Sequence, residues 1–341
     1  MIKVGIIGGG FGLKVQAPII DSHPDMTVTA VSTVNRHQLP EEMDCLKHTP
    51  IHYKNWQEMV TREKVELLFV SSMPIHHFKM VKYAIENGVK HIVCEKPFTT
   101  TSDESRELLH LAETYDAKVF LDFEWRYVPG RQKMKKLLLD QYVGDILHME
   151  YHVSNAQYQK MLSNQRGWLG EKEKFGGMLG ALGSHMIDCL RWLSGEVKVV
   201  NGMVHTHVPE GAGEVRDADD SFFIHGVTID NATFSLQLVT GVNHGFGSSL
   251  KVFGTQGTVA LINDKQLAAG KANEKMMESI EEYEKEIPSH LSERTKSYFP
   301  AFYTYVTRLY DYLVNGNEDP DLATIEDGHR SQEIIDTILE S

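Results

Sequence analysis

Near residue 92 an apolar run, Ile-Val-Cys, breaks off at a charged pair followed by proline: Glu95-Lys96-Pro97. Proline fixes its own φ and pushes the preceding residue out of helical space, so Lys96 is expected to be extended where a strand ends. In open α/β sheets the carboxyl edge of the strands is where ligands bind. A lysine held there, partly shielded from water, can give up its proton near neutral pH and serve as an acid or a base. Taken alone, the tripeptide reads first as a surface lysine at a strand end; its place after a nucleotide-binding start reverses that order. A second set of candidate groups is His185 and Asp188. Ser184 suits an N-cap and Gly195 a stop, which predicts a helix from His185 to about Leu193. Three residues apart, His185 and Asp188 share a face. A histidine there can hydrogen-bond a substrate hydroxyl or relay its proton. It can equally cap and pack with Asp188 as a dipole partner, and the residues alone favour that role. His205 and His207 alternate on a predicted strand and face one side, but no third ligand stands at a diagnostic spacing, so no metal is expected.

The elements that must position these groups follow from apolar runs and turn residues. Residues 2–7 form an apolar strand, followed by Gly8, Gly10 and Gly12 and by a segment of helical composition interrupted by Pro18. Strand, glycine turn and helix start make a phosphate cradle, in which glycine lets the backbone approach a pyrophosphate and the helix N-terminus offers free N–H groups. The spacing is G-x-G-x-G, with Leu13 in the last glycine position of the longer pattern, and a plain turn is the alternative. The second strand, 27–31, runs into Ser32-Thr33-Val34-Asn35-Arg36. An acidic residue there would hold a ribose 2′-hydroxyl. Two hydroxyls and an arginine suit a 2′-phosphate instead, so NADP is favoured over NAD, unless Arg36 only begins a solvated helix. Strands at 67–71, 91–94 and 118–123 alternate with helices near 77–87 and 102–115. Gly88 ends the first helix and Thr101 or Ser102 caps the second. This alternation predicts an α/β fold with a doubly wound parallel sheet. Beyond residue 197 the runs 198–208, 221–229, 232–240, 248–253 and 258–262 are β-rich, with Asp230-Asn231 as a hairpin connection.

The length of 341 residues predicts two domains. A net charge of −13 disfavours nucleic acid and anionic membrane surfaces as partners. The three cysteines, Cys45, Cys94 and Cys189, include no C-x-x-C pair, which fits a reducing cytoplasm. The amino terminus enters a strand without a cationic leader, and no apolar run approaches the ~20 residues of a membrane span.

Several stretches together resemble the glucose-fructose oxidoreductase / inositol dehydrogenase / MocA family. They are Gly8-Gly9-Gly10-Phe11-Gly12, Ser72-Met73-Pro74-Ile75-His76-His77, Glu95-Lys96-Pro97 and Phe123-Glu124-Trp125-Arg126-Tyr127. The glycine-rich run from Gly176 through Gly183-Ser184-His185 to Asp188, Phe253-Gly254-Thr255-Gln256-Gly257-Thr258 and Glu326-Asp327-Gly328 complete the set. The resemblance implies a Rossmann domain over 1–122 and a second domain over 123–341. The latter would hold a large open, mostly antiparallel sheet, whose outer face builds a homodimer or homotetramer. Its last helix would be 325–340 and could pack back on the first domain. The resemblance implies hydride transfer between a nicotinamide and a carbinol or carbonyl carbon of a sugar, cyclitol or related polyol, without a metal. Lys96 and His185 would be the catalytic residues. Gly8, Gly10, Phe11, Gly12, Ser32, Thr33, Arg36, Ser72, Pro74, His77, Glu95, Lys96 and Glu124 would line the cofactor. Arg126, Trp168, His185 and Asp188 would face substrate.

Four positions depart from the family pattern. Ala181 stands where active members often carry aspartate, Glu124 and Pro74 where asparagine is common, and Gln16 where histidine is frequent. These departures point away from inositol dehydrogenase itself. They leave open a reductase of a non-sugar carbonyl or dihydrodiol, or a non-catalytic dinucleotide sensor.

Overall fold

The computed structural model describes residues Met1–Ser341. Two compact units form: Met1–Tyr127 with Glu284–Gln332, and Val128–Tyr283 with Glu333–Ser341. The first unit thus runs to Tyr127 and not to 122, and 284–332, which includes the start of the last helix, returns to it.

The first unit starts with β1 (Ile2–Ile7), a wide π-type turn Gly12–Gln16 and α1 (Ala17–Ser22). It continues through β2 (Met26–Ser32), β3 (Ile51–Tyr53), α2 (Trp56–Arg62), β4 (Leu67–Val70), α3 (Pro74–Glu86), β5 (His91–Cys94), α4 (Ser102–Tyr115) and β6 (Lys118–Leu121). All six strands are parallel, in the order β3-β2-β1-β4-β5-β6, so the strand order reverses between β1 and β4. That reversal is the crevice in which such sheets bind dinucleotides. Both faces are apolar: Val4, Ile6, Leu68, Phe69, Ile92 and Val93 are all buried. Parallel sheets covered on both sides require this. Thr101 caps α4 through Glu104 N–H, as its position in the sequence suggested.

The second unit runs α5 (Pro129–Leu139), β7 (Ile146–Ser154), α6 (Tyr158–Ser163) and α7 (Ser184–Ser194). The strands β8 (Val197–His205), β9 (Glu210–Gly211), β10 (Glu214–Val215), β11 (Ser221–Thr228) and β12 (Thr233–Val239) follow. The last four are β13 (Gly247–Gly254), β14 (Gly257–Ile262), β15 (Gln266–Lys271) and β16 (Met277–Ile280). Eight strands form one sheet, β16-β15-β14-β13-β7-β12-β11-β8, antiparallel except for the β7–β12 pair. Alternate residues such as Phe222, Ile224, Leu236, Leu238, Leu250 and Val252 turn inward onto α7, whose Met186, Ile187 and Leu190 meet them. Arg131 of α5 is buried in this core, where it pairs with Asp264 at 2.8 Å and donates to the Tyr151 hydroxyl.

Two helices complete the chain, α8 (Glu293–Asn315) and α9 (Ile325–Glu340). In α8, Phe299, Phe302, Tyr305, Val306 and Leu309 form a buried stripe, and Phe302 meets Phe69 of the first sheet. No element between 263 and 324 was expected from the sequence, although this stripe has helical spacing.

Candidate active site

The candidate site in the first unit is built on the carboxyl ends of its strands. The parallel ladder continues one residue past each strand: Gly8 N–H to Ser32 O, Ser71 N–H to Ile7 O, Glu95 N–H to Val70 O and Asp122 N–H to Cys94 O. Gly8, Ser71, Glu95 and Asp122 therefore stand in a row along the crest, in the order β1, β4, β5, β6. Gly8 must be glycine, because its φ is +142° and a Cβ would lie 2.1 Å from the Ser71 carbonyl oxygen. A Cβ on Gly10 would meet nothing within 4 Å, so the loop is open where a pyrophosphate would rest. The first N–H groups of the helix behind it have no intrahelical acceptors. This cradle fits a dinucleotide.

Pro18 explains the wide turn after the loop. It has no N–H to give to the carbonyl four residues back, and the Ala17 N–H bonds Gly12 O, one residue further than in an α-helix. The Lys14 carbonyl so released accepts from the Thr295 hydroxyl of α8 at 2.9 Å. The turn carries Gln16 into the row. Ser71 Oγ donates to Gln16 Oε1, which fixes the amide orientation. Gln16 Nε2 then donates to Glu95 Oε1 at 2.8 Å and to Asp122 Oδ2 at 2.6 Å. Burial, and then the neighbouring Glu95 and Glu124, push the Asp122 carboxyl well above the usual carboxylate range. Glu95 keeps some exposed surface, yet loss of hydration is still the largest influence on it and pushes it up, against the Lys96 charge.

Lys96 follows directly, partly exposed, and its N–H donates to Glu95 Oε2 at 3.3 Å. The Lys96–Pro97 peptide is cis. His77 was expected against the cofactor, but it has no exposed surface. Its ring nitrogens lie 3.0 Å from the Ser72 and Pro97 carbonyl oxygens, so it joins the end of β4 to the lysine turn. Burial pushes this imidazole's pKa down. Pro74 is buried at the start of α3, Ser72 is partly exposed, and Phe11 packs edge-on against Tyr298. At the other end of the crest Ser32 is buried, and Thr33 Oγ1 lies 2.7 Å from His52 Nε2. Arg36 folds back so that its Nε donates to Gly9 O at 2.7 Å. His52 was not foreseen, because its neighbourhood depends on the short pairing of β3 with β2.

Arg126 was expected at the substrate wall. Instead its guanidinium is buried and paired with Asp327 at 3.1 Å. Two family-like stretches thus meet in one ion pair. Gly328 beside it would press a Cβ within 2.8 Å of Leu121, so this glycine lets α9 begin against the end of β6. Glu124 is buried in the 124–127 turn.

In the second unit His185 and Asp188 are both buried on α7. Ser184 is not an N-cap. A π-type turn, Leu179–Gly183, runs straight into α7, and the Ser184 hydroxyl bonds the Gly180 carbonyl at 2.7 Å. The cap comes from a distant loop, with Asp219 Oδ2 accepting from Leu179 N–H at 2.8 Å and Asp219 O from Met178 N–H at 3.1 Å. Gly177, at φ +107°, leaves room for that carboxyl, which a Cβ would meet at 2.0 Å. Burial, opposed by these N–H groups, pushes Asp219 up to about 6. Trp168 is partly buried in a turn whose entry, the Arg166 and Gly167 N–H groups, is held by Glu214 at 2.8 and 3.0 Å. Arg216 bonds the Met161, Asn164 and Gly211 carbonyls, tying the loops around 161–174 and 207–219 together. His207 is exposed and bonds Asp220 and Ser221. No group of three or more His, Cys, Asp or Glu residues is arranged to hold a metal ion.

Residues 2–123 match the family model described as "Oxidoreductase family, NAD-binding Rossmann fold", and residues 131–260 match the GFO/IDH/MocA C-terminal domain. An uncharacterized oxidoreductase of Synechocystis is 31% identical over 77% of this chain and 72% of its own. Glucose-6-phosphate 3-dehydrogenase of Bacillus subtilis is 22% identical over the whole chain and 96% of its own. Among solved structures, levoglucosan dehydrogenase in complex with NADH and levoglucosan superposes with a TM-score of 0.85 at 20% identity, covering 100% of this chain and 96% of that one. With both of its parts matched in order, this chain belongs to the Gfo/Idh/MocA family of NAD-binding oxidoreductases.

Proposed function

We propose that the protein catalyses reversible, metal-free hydride transfer between a nicotinamide dinucleotide and a CH–OH or carbonyl carbon of a sugar, cyclitol or related polyol. The observation that carries this reading is the placement of Lys96, immediately beyond the Gly8–Ser71–Glu95–Asp122 crest and braced through Pro97 by the buried His77. The sugar dehydrogenases among its relatives support the substrate class. The bound nicotinamide supplies or takes the hydride. Lys96 exchanges the proton of the reacting oxygen. His185, with Asp188 three residues on, is the second unit's candidate for orienting a substrate hydroxyl. Ala181 contributes no carboxyl, so the proton work falls on Lys96.

The hydroxyl of Thr33 and the Arg36 guanidinium, without a carboxylate between them, support a preference for the 2′-phosphate of NADP(H). The exposed Val199 and Met203 of β8 support association of copies through the sheet's outer face. Titration with NADPH and NADH, followed by nicotinamide fluorescence, tests the cofactor reading. Tighter NADPH binding is expected, with the preference lost in Arg36→Ala; tighter NADH binding overturns it.

A further inference from the structure

The crest holds more acid than a lysine-based proton exchange uses. Gln16, its amide orientation fixed by Ser71, spans Glu95 and Asp122 with the two hydrogens of a single nitrogen. Asp122 is wholly buried, and its other oxygen, Oδ1, has no hydrogen-bond partner. An ionised carboxylate with a bare buried oxygen is far costlier than a neutral acid. Two carboxyls so placed ionise as a pair and hold one proton between them. The groups around them are the Cys94 thiol on β5, Lys96 beyond it, Glu124 in the next turn, and the phenols of Tyr298 and Tyr305 on α8. Of these only Lys96 brings a positive charge.

The pair also has a definite place. The strand order reverses between β1 and β4, and each half of such a sheet takes one half of a dinucleotide. The ribose-recognition segment after β2 lies on one side. Glu95 and Asp122, at the ends of β5 and β6, lie on the nicotinamide side. The oxidised ring carries a positive charge and the reduced ring does not. The remainder of the cofactor is the same in both.

We propose that Glu95 and Asp122, bridged by Gln16, carry one shared proton that leaves when the oxidised nicotinamide ring binds and returns once the ring is reduced. The carboxyl O–H breaks and its proton passes to water or buffer; the pair is left with two negative charges on the nicotinamide side of the crest. When hydride neutralises the ring, the pair regains a proton, for which the substrate hydroxyl, through Lys96, is the source. In the oxidative direction the net proton is thus released at cofactor binding and not at the chemical step. This inference rests on the reading that the crest holds a nicotinamide dinucleotide; the shared proton itself does not.

The test is calorimetric titration with NAD+ and NADH, and in parallel NADP+ and NADPH, in buffers of different ionisation enthalpy across neutral pH. Oxidised cofactor is expected to release most of one proton per site, and its affinity to rise about tenfold per pH unit. Reduced cofactor should release none and bind independently of pH. Asp122→Asn keeps an acceptor oxygen for Gln16 and should abolish both the release and the pH dependence. Equal release for both redox forms, or release persisting in both Asp122→Asn and Glu95→Gln, overturns the inference alone. Failure of every nucleotide to bind overturns the dinucleotide reading with it. Should the variants not fold, infrared difference spectra of the wild-type protein decide. The carbonyl stretch of a protonated carboxyl must disappear on adding oxidised cofactor, and its persistence refutes the proposal.

Discussion

Replacing Gln16 by leucine removes the one neutral side chain that joins three crest residues. Ser71 Oγ, Glu95 Oε1 and Asp122 Oδ2 each lose a partner. If the acid pair carries a single charge, one lost bond is charge-assisted and two are neutral, a loss of about 4 kcal/mol. Leucine buries more apolar surface and returns about 1 kcal/mol, leaving a net loss of ~3 kcal/mol. The loss depends on pH with a definite sign. Both carboxyls are held above their ordinary range in the folded protein. Their contribution to stability is therefore full below the unfolded carboxylate range and lost as pH rises through the folded values. Without Gln16 the ionised pair loses both N–H donors of that amide and keeps only the Lys96 N–H, so the deficit should be larger at about pH 8 than at about pH 5. Urea unfolding followed by circular dichroism at both pH values measures this. A deficit below about 1 kcal/mol, or one independent of pH, would refute the bridged-pair reasoning.

Further perturbations address other parts of the fold. Thr295→Val should cost about 1–2 kcal/mol in urea unfolding, because the Lys14 carbonyl freed by Pro18 then has no donor. Asp219, raised from 3.8 to about 6, stabilises the fold most below about pH 4 and loses that contribution as pH rises through 6. Asp219→Asn should accordingly flatten the stability-versus-pH curve over that window; an unchanged slope contradicts the assignment. Asp264→Leu alone strands the buried Arg131 guanidinium and should cost about 3–5 kcal/mol, whereas Arg131→Met with Asp264→Leu recovers most of the loss. Equal losses in single and double variants would show that the pair does not act as one.

The strands and turns that frame the site were legible because each has a local cause. The apolar runs end at Gly8 and Glu95, and Pro97 marks where Lys96 must sit; the last strand of this sheet, expected to reach 123, stops at Leu121. The C-terminal helix, implied by the family resemblance, stands over Ile325–Glu340. What escaped was either non-local or hidden by a competing local signal. Gln16 was visible only as a departure from a family pattern; its work depends on Ser71, Glu95 and Asp122, which are 55, 79 and 106 residues away. Ser184 has the composition of an N-cap, but Asp219 caps the helix from another loop and moves its start back to the π-type turn. The partners of His77 and Arg126 are also non-local: the His77 ring lies between the Ser72 and Pro97 carbonyls, and Arg126 pairs with the Asp327 carboxylate some 200 residues on. In α8, Pro300 obscured a stripe whose helical spacing was otherwise plain.

The central claim is that Lys96 exchanges the proton as hydride moves. The most direct measurement is reduction of NAD+ and NADP+ by wild-type protein and Lys96→Met across a polyol panel that includes levoglucosan and glucose 6-phosphate. The account predicts turnover of at least one polyol by the wild type and a fall of about 10²–10⁴-fold in the variant, with the urea midpoint unchanged. Turnover by Lys96→Met within a few-fold of wild type would contradict it.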